Sequence, residues 1–444
     1  MNKITILFLY STMLYSSLLC WKNWSKKDVC YPEHVISVSC LEEIQFYIKQ
    51  ALQTKQTIRA VGSGHSWGPI LCSEGYLLET KELNKILFLD VKNKIIKVQA
   101  GITLKKLIHA LAEHTLTLPN IPSITKQTIA GALATGTHGS GKTGTLANFV
   151  VNMELVAADG TLYTLSSTEN AHFFNAALVN IGSLGIIYSV TLSCVPLYKL
   201  KHEQWHTTFD FIKKNYKKLY DNHDFFTFMY NVHQDSVAVD VWDITDEATS
   251  ESSLSFHLQR LIISVYNWLV VHVINQFLPD TKKIAPLSIP TSSVAYSYKA
   301  LAGEPSPYYL EEEVAVPVSK LPEALEALKN LIAHYNKKGI AINGIICRFV
   351  LADTHALLSP SAGQDVVFLN VSMPQTQESE FYKDFYKLML TFDGRPHWGK
   401  INYITKQDAS RLYGKNFDLF LQARKRLDPA GIFSNAFTKT VFGW

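Results

Sequence analysis

The sequence predicts an α+β fold built in two parts. Three observations carry that reading. Apolar residues recur at helix spacing in some stretches and alternate in others, yet the two patterns do not follow one another as regular βαβ units. The glycine-rich loops gather in the front half. Past Pro196 the texture changes: glycine thins and aromatic residues cluster, as at Phe225, Phe226, Phe228 and Tyr230. The boundary is therefore expected near residues 196–205, with a front part over 21–200, a rear part over 201–444 and residues 1–20 standing apart.

Each element follows from its local pattern. Leu41 to Gln53 reads as a helix, because Ile44, Tyr47, Ile48 and Leu52 fall on one side. Thr57 to Val61 reads as a strand that runs straight into Gly62-Ser63-Gly64-His65-Ser66-Trp67-Gly68. Ile96, Val98 and Ala100 alternate with polar neighbours, Gly101 ends that strand, and Leu104, Leu107, Ile108 and Leu111 then recur at helix spacing. Asp159-Gly160 between two apolar runs is a hairpin signal. A glycine-rich turn, Gly182 to Gly185, precedes a strand from Ile186 to Val195. In the rear part, Leu321 to Tyr335 is amphipathic at helix spacing, with Gly339 as its stop.

Composition sets outer limits. Hydrophobic residues make up 47% of the 444, enough for a large core, and two or three domains fit that length. A net charge of +4, scattered along the chain, excludes a nucleic-acid binder. Six cysteines form no CxxC pair, so no thiolate zinc site is expected, nor any other metal. Most are expected to be free thiols, with one bridge, Cys30–Cys40, as the alternative in an exported protein. Met1-Asn2-Lys3 followed by an almost uncharged run to Cys20 reads as a signal or membrane-anchor segment, and a buried core segment stays open as the alternative. A second apolar run, Leu261 to Leu278, contains Asn267, His272, Asn275 and Gln276. Those polar groups favour a buried or surface-lying amphipathic helix over a membrane span.

Three glycine-rich segments carry the chemistry. Gly62 to Gly68 is not a Rossmann fingerprint, because Trp67 takes the place of the third glycine. It still suits an anion, since glycines let backbone N–H groups turn inward. Pro122 to Gly141 is dense in small residues that let backbone approach a flat ligand, with Ser123, Thr128, Thr135 and Thr137 as hydroxyl donors. Gly182 to Gly185 is the third.

Together these segments resemble the FAD domain of the vanillyl-alcohol-oxidase (PCMH-type) superfamily. More closely, the chain resembles the aldonolactone oxidases, the family of gulonolactone and arabinono-lactone oxidases. The landmarks run from Asn23-Trp24 through Val61 to Ser66, Val98 to Gly101, Ala130 to Gly139, Ala158 to Gly160, Gly182 to Gly185, Val314 to Pro317, Gly394 to Lys400 and Leu427 to Pro429. The resemblance implies a two-part FAD-binding domain followed by a C-terminal α+β substrate (cap) domain whose last segment returns to the flavin. It implies that His65 is joined covalently to FAD. Ala60, Val61, Gly62, Ser63, Gly64 and Ser66 would surround the pyrophosphate. Ser123, Thr128, Gly131, Thr135, Gly136, Thr137 and His138 would line the flavin, with Ile187 also at the cofactor. Lys400 matches the family's active-site lysine, a cation that would stabilise the anionic reduced ring. Arg348 matches its substrate-side arginine, whose fork of donors suits a lactone carbonyl or ring hydroxyls.

The resemblance further implies oxidation of a sugar lactone or polyol, with hydride passing to flavin N5 and electrons to oxygen. Pro122, near the superfamily's oxygen gate, points toward an oxidase. A dehydrogenase using a cytochrome or quinone, and a membrane-associated flavin-binding protein with little catalysis, remain as alternatives. One departure from the family pattern bears on all three. The family places a glutamate two residues before the arginine, and here that position is Ile346. His397, or one of Glu311, Glu312 and Glu313, is a candidate replacement, although three consecutive glutamates read first as a solvated charge run.

Overall fold

The computed structural model describes residues 20–250 and 291–443, apart from 233, 304–308, 341, 343 and 375–379, together with isolated positions 262, 265, 266 and 269. The expectations for residues 1–19 and for the apolar run 261–278 fall outside the described residues or on those isolated positions. Among the described residues no helix is long and apolar enough to cross a membrane.

Three main sheets carry the chain. The first is parallel and three-stranded, in the order His34–Ser37, Tyr76–Glu79, Ile58–Val61. The helix Leu41–Thr54 packs against it through Ile44, Ile48 and Ala51, the periodic positions of its sequence. The His65 loop leaves the C-terminal end of the strand Ile58–Val61.

The second sheet is antiparallel, in the order Leu162–Ser166, Val150–Val156, Ile186–Ser193, Ile95–Gln99, Ile86–Asp90. Val150–Val156 and Leu162–Ser166 are joined through the Asp159-Gly160 turn, where Gly160 adopts φ +83, a conformation that costs glycine nothing. The helix Leu104–Glu113 buries Leu104, Leu107, Ile108 and Leu111, and the Thr103 side chain caps it by accepting from the N–H of Lys106.

The third sheet is antiparallel and eight-stranded, in the order Thr291–Tyr296, Lys199–Thr208, Ser236–Thr245, Phe225–Asn231, Gly344–Val350, Val366–Pro374, Tyr309–Pro317, Arg395–Pro396. Its two faces differ because strand side chains alternate. Leu310, Val314 and Val316, with Ile345, Cys347, Phe349, Val367, Leu369 and Val371, pack in one core with residues of the helices Phe209–Asn222, Leu321–Lys337 and Phe381–Leu390. The intervening residues Glu311, Glu313, Arg348, Phe368 and Asn370 turn the other way. The chain then returns to the front part. Lys406–Tyr413, Lys415–Leu427 and Ala436–Phe442 are helices that share a core with the second sheet, and the N–H of Ala158 donates to Leu427 O.

Most cysteines are free, as expected, and the bridge that forms is not the alternative Cys30–Cys40. Cys30 pairs with Cys72, their Cα atoms 5.6 Å apart, and Cys40 is free with Cys20, Cys194 and Cys347. Cys40 stands immediately before the helix Leu41–Thr54, on the far side of the parallel strand His34–Ser37. Proximity in sequence did not make it the partner. The bridge instead fastens the N-terminal hairpin Trp21–Lys22/Val29–Cys30 to the loop that follows His65.

Candidate active site

A cleft with about 640 Å³ of empty space opens between the first and second sheets. Ala60, Val61, Gly62, Ser66, Thr128, Gly131, Thr135 and Ile187 line it, and an adjoining recess of about 320 Å³ adds Ser63, Gly64 and His65. Close backbone approach explains the glycine at position 62: a Cβ there would sit 2.0 Å from Thr128 Oγ1. Arg59, which sequence reasoning missed, also lines the cleft. Its buried guanidinium donates to the carbonyls of Ile181 (2.7 Å), Gly182 (2.8 Å) and Phe433 (2.9 Å), so it ties the third glycine-rich turn and the C-terminal segment to the cleft wall.

Four residues expected at the cofactor lie off this cleft. Ser123 accepts from Gly303 N–H through its backbone, Gly136 packs against Pro360, and Thr137 is buried with its hydroxyl 3.4 Å from that of Thr135. His138 points to the third sheet, stacked on Phe368 with ring centroids 3.6 Å apart. Spacing along a glycine-rich segment does not say which side chains face which wall. Here the chain turns after Thr135, and the later residues belong to the neighbouring cluster.

His65 is only 8% exposed, and neither ring nitrogen has a hydrogen-bond partner. The ring stacks on Trp24, centroids 4.3 Å apart, and meets the edge of Trp67 at 5.6 Å. Burial, with the charge of Lys400 adding to it, pulls its pKa from 6.5 down to about 4. The imidazole is therefore neutral near pH 7, with an unshared lone pair on a buried nitrogen.

The third sheet presents the polar cluster. Lys400 is nearly buried, its ammonium 4.1 Å from the Trp67 ring centroid and paired with Glu311, which also accepts from the Asn370 amide. Glu313 Oε1 takes Arg348 Nη1 at 3.4 Å and His138 Nε2 at 3.5 Å. Burial opposes ionisation of Glu313, but His138, Lys400 and Arg348 together outweigh it and hold the carboxyl well below the usual carboxylate range. The expected solvated charge run is thus overturned, since Glu311, Glu312 and Glu313 are all buried. A signal for this was present: Leu310, Val314 and Val316 alternate with Glu311, Glu313 and Ala315, which marks a strand rather than an exposed loop.

His397 is fully enclosed, and burial drives its pKa down to about 3 against the opposing pull of Glu313. Its Nδ1 accepts the N–H of Gly399 at 3.0 Å, so the neutral ring carries its proton on Nε2. That makes His397 a donor and a weak base. His138, Glu313 and His397 bring one ligand atom each within 4.8 Å of the others. The protonated Nε2 of His397 removes one of the three lone pairs a metal would need.

A cleft between a parallel and an antiparallel sheet, beside a buried imidazole, a lysine and an arginine, defines an FAD-binding oxidoreductase. Solved structures share the architecture: cholesterol oxidase from Brevibacterium sterolicum superposes with a TM-score of 0.76 over 95% of this chain and 96% of its own, at 16% identity, a likeness of fold alone. The family model described as FAD binding domain matches residues 32–166, and the one described as D-arabinono-1,4-lactone oxidase matches residues 190–441. The chain belongs to the D-arabinono-1,4-lactone oxidase family. It is 30% identical to L-gulonolactone oxidase of Bos taurus over 95% of this chain and 98% of that protein. It is 29% identical to L-gulono-1,4-lactone dehydrogenase of Mycobacterium tuberculosis over 95% and 99%.

Proposed function

We propose that this enzyme carries FAD covalently on His65 and oxidises a CH–OH group of a sugar 1,4-lactone (D-arabinono-, L-gulono- or L-galactono-lactone type) or a related polyol, with molecular oxygen as the final acceptor. The observation that carries the reading is the His65 imidazole: buried, neutral, unpartnered at both nitrogens and set in the recess of the cleft. A nitrogen nucleophile needs that state, and a purely structural histidine would have found a partner.

FAD, when bound, supplies the two-electron acceptor. Gly62 to Ser66 and Thr128 to Thr135 would hold it, Trp24 covers the attachment point, and Lys400 offers the cation that favours added electron density. Arg348 is 23% exposed at its side chain and presents donors to a substrate oxygen from the opposite wall.

The relatives carry both oxidase and dehydrogenase names. The choice of oxygen is tested by reducing the flavin without air and then admitting it. Rapid return of the yellow colour is expected, and return only with a cytochrome or quinone would contradict it. The Cys30–Cys72 bridge supports an oxidising compartment, as does the apolar start of the chain, so export or membrane association belongs to the same proposal.

A further inference from the structure

Position 346, where the family resemblance leads to the expectation of a carboxylate, is isoleucine, and Arg348 instead meets a carboxylate from two strands away. Ile346, Asn370 and Glu313 form one cross-strand row: Ile346 pairs with Asn370, and Asn370 with Glu313. Arg348 and Phe368 form the next row. A glutamate at 346 would approach Arg348 along its own strand. Glu313 approaches the same guanidinium across the sheet, at 3.4 Å. The same carboxylate oxygen also meets His138 Nε2 at 3.5 Å, and both contacts fall on Oε1, leaving Oε2 for another partner.

The His138 tautomer gives this pair its chemistry. Its Nδ1 lies 2.8 Å from the carbonyl of Gly139, and a carbonyl only accepts, so Nδ1 carries a proton. Nε2 and Glu313 Oε1 then attract one another only when one more proton lies between them. Removing that proton leaves two lone pairs face to face in a dry site, and the pair becomes an acceptor for a proton from elsewhere.

We propose that the His138–Glu313 pair accepts the proton of the substrate hydroxyl, with the proton coming to His138 Nε2 and Glu313 stabilising the imidazolium that results, a role that Ile346 cannot fill. This rests on the reading of the chain as a lactone or polyol oxidiser. FAD, when bound, would accept the hydride that leaves as the substrate C–H bond breaks. The O–H bond breaks with its proton passing to the Glu313–His138 pair, and the C–O bond gains its second order. Arg348, Lys400 and the Nε2–H of His397 face the pair as donors. Glu311, already paired with Lys400, and the Tyr309 hydroxyl complete the titratable surroundings.

The test is anaerobic stopped-flow reduction of the holoenzyme at saturating lactone, across pH, for wild type, Glu313→Gln, His138→Asn and the double variant Glu313→Gln/Ile346→Glu. Flavin content and thermal midpoint are read for each. Wild-type reduction should speed up with rising pH, because the pair can take the substrate proton only when no proton already lies between Nε2 and Oε1. Glu313→Gln should be slower by about a hundredfold and lose that limb. The double variant should recover at least about tenfold of the loss, because the carboxylate is back beside Arg348. If Glu313→Gln fails to hold FAD, His138→Asn decides, since loss of the same limb supports the pair and an intact limb overturns it. A Glu313→Gln rate within about threefold of wild type, with the limb intact, overturns the proposal while leaving the lactone reading in place. A wild-type flavin that no lactone or polyol reduces overturns both.

Discussion

At the scale of the residue, His65 combines two properties that rarely coexist, burial and empty hydrogen-bonding capacity. A buried polar atom without a partner costs roughly 1–3 kcal/mol, so its persistence asks for a use. Covalent attachment supplies one. Denatured wild-type protein should keep yellow, fluorescent flavin, and His65→Ala should release it. Flavin that washes out of denatured wild type would end the assignment. Lys400 makes a separate prediction. Lys400→Ala should slow flavin reduction at least about tenfold, corresponding to roughly 1.4 kcal/mol, with flavin content little changed. Unchanged reduction at saturating substrate would remove it from the mechanism. Both residues were picked out in the sequence by the family resemblance, each within a dense local motif. Asn370 was not singled out, and Glu311 and Glu313 only as two of several candidate replacements, because their meeting depends on the register of three strands, and register is a property of pairing that no single segment displays.

At the scale of the element, the strand Tyr309–Pro317 is buried on both faces, and this makes its middle glutamate costly. Glu311 and Glu313 have partners on the site face. Glu312 points into the helix-covered core near Tyr382 and Tyr386, and neither carboxyl oxygen has a partner. Burial raises its pKa well above the ordinary 4.5, so the native state keeps this proton. The unfolded chain releases it above that ordinary value. Stability from this group therefore falls as pH rises from the unfolded pKa toward the folded one, by up to about 1.4 kcal/mol per pH unit. Glu312→Gln, which cannot ionise, should gain stability relative to wild type between pH 5 and pH 8 in urea unfolding, and an equal gap between variant and wild type at the two pH values would contradict this. Helix boundaries were easier to read than this strand. Leu104–Glu113 and Leu321–Lys337 follow their apolar periodicity almost residue for residue, because a helix's pattern is complete within its own segment.

At the scale of the whole molecule, the glycine-rich loops come from the first two sheets and the polar side chains from the third, and the last helices bind the two parts together. Arg59 spans 374 residues to reach Phe433, and Asn435 donates to the carbonyls of Pro69, Ile70 and Cys72, all at 3.1 Å. The α+β class was visible in composition and pattern. These long-range ties were not, because an arginine on a strand and an asparagine near the C-terminus carry no local mark of their partners. The Cys30–Cys72 bridge shows the same limit, since four cysteines would pair in three ways and six in fifteen.

The central claim is that this assembly passes electrons from a sugar lactone or polyol to its flavin. Its most direct test is to mix the purified holoenzyme, without oxygen, with L-gulono-, L-galactono- and D-arabinono-1,4-lactone and with a series of polyols, and to follow the absorbance of the oxidised flavin. At least one lactone or polyol should bleach the flavin completely within a catalytic turnover. A flavin that stays oxidised against the whole panel, while dithionite still reduces it, would contradict the account.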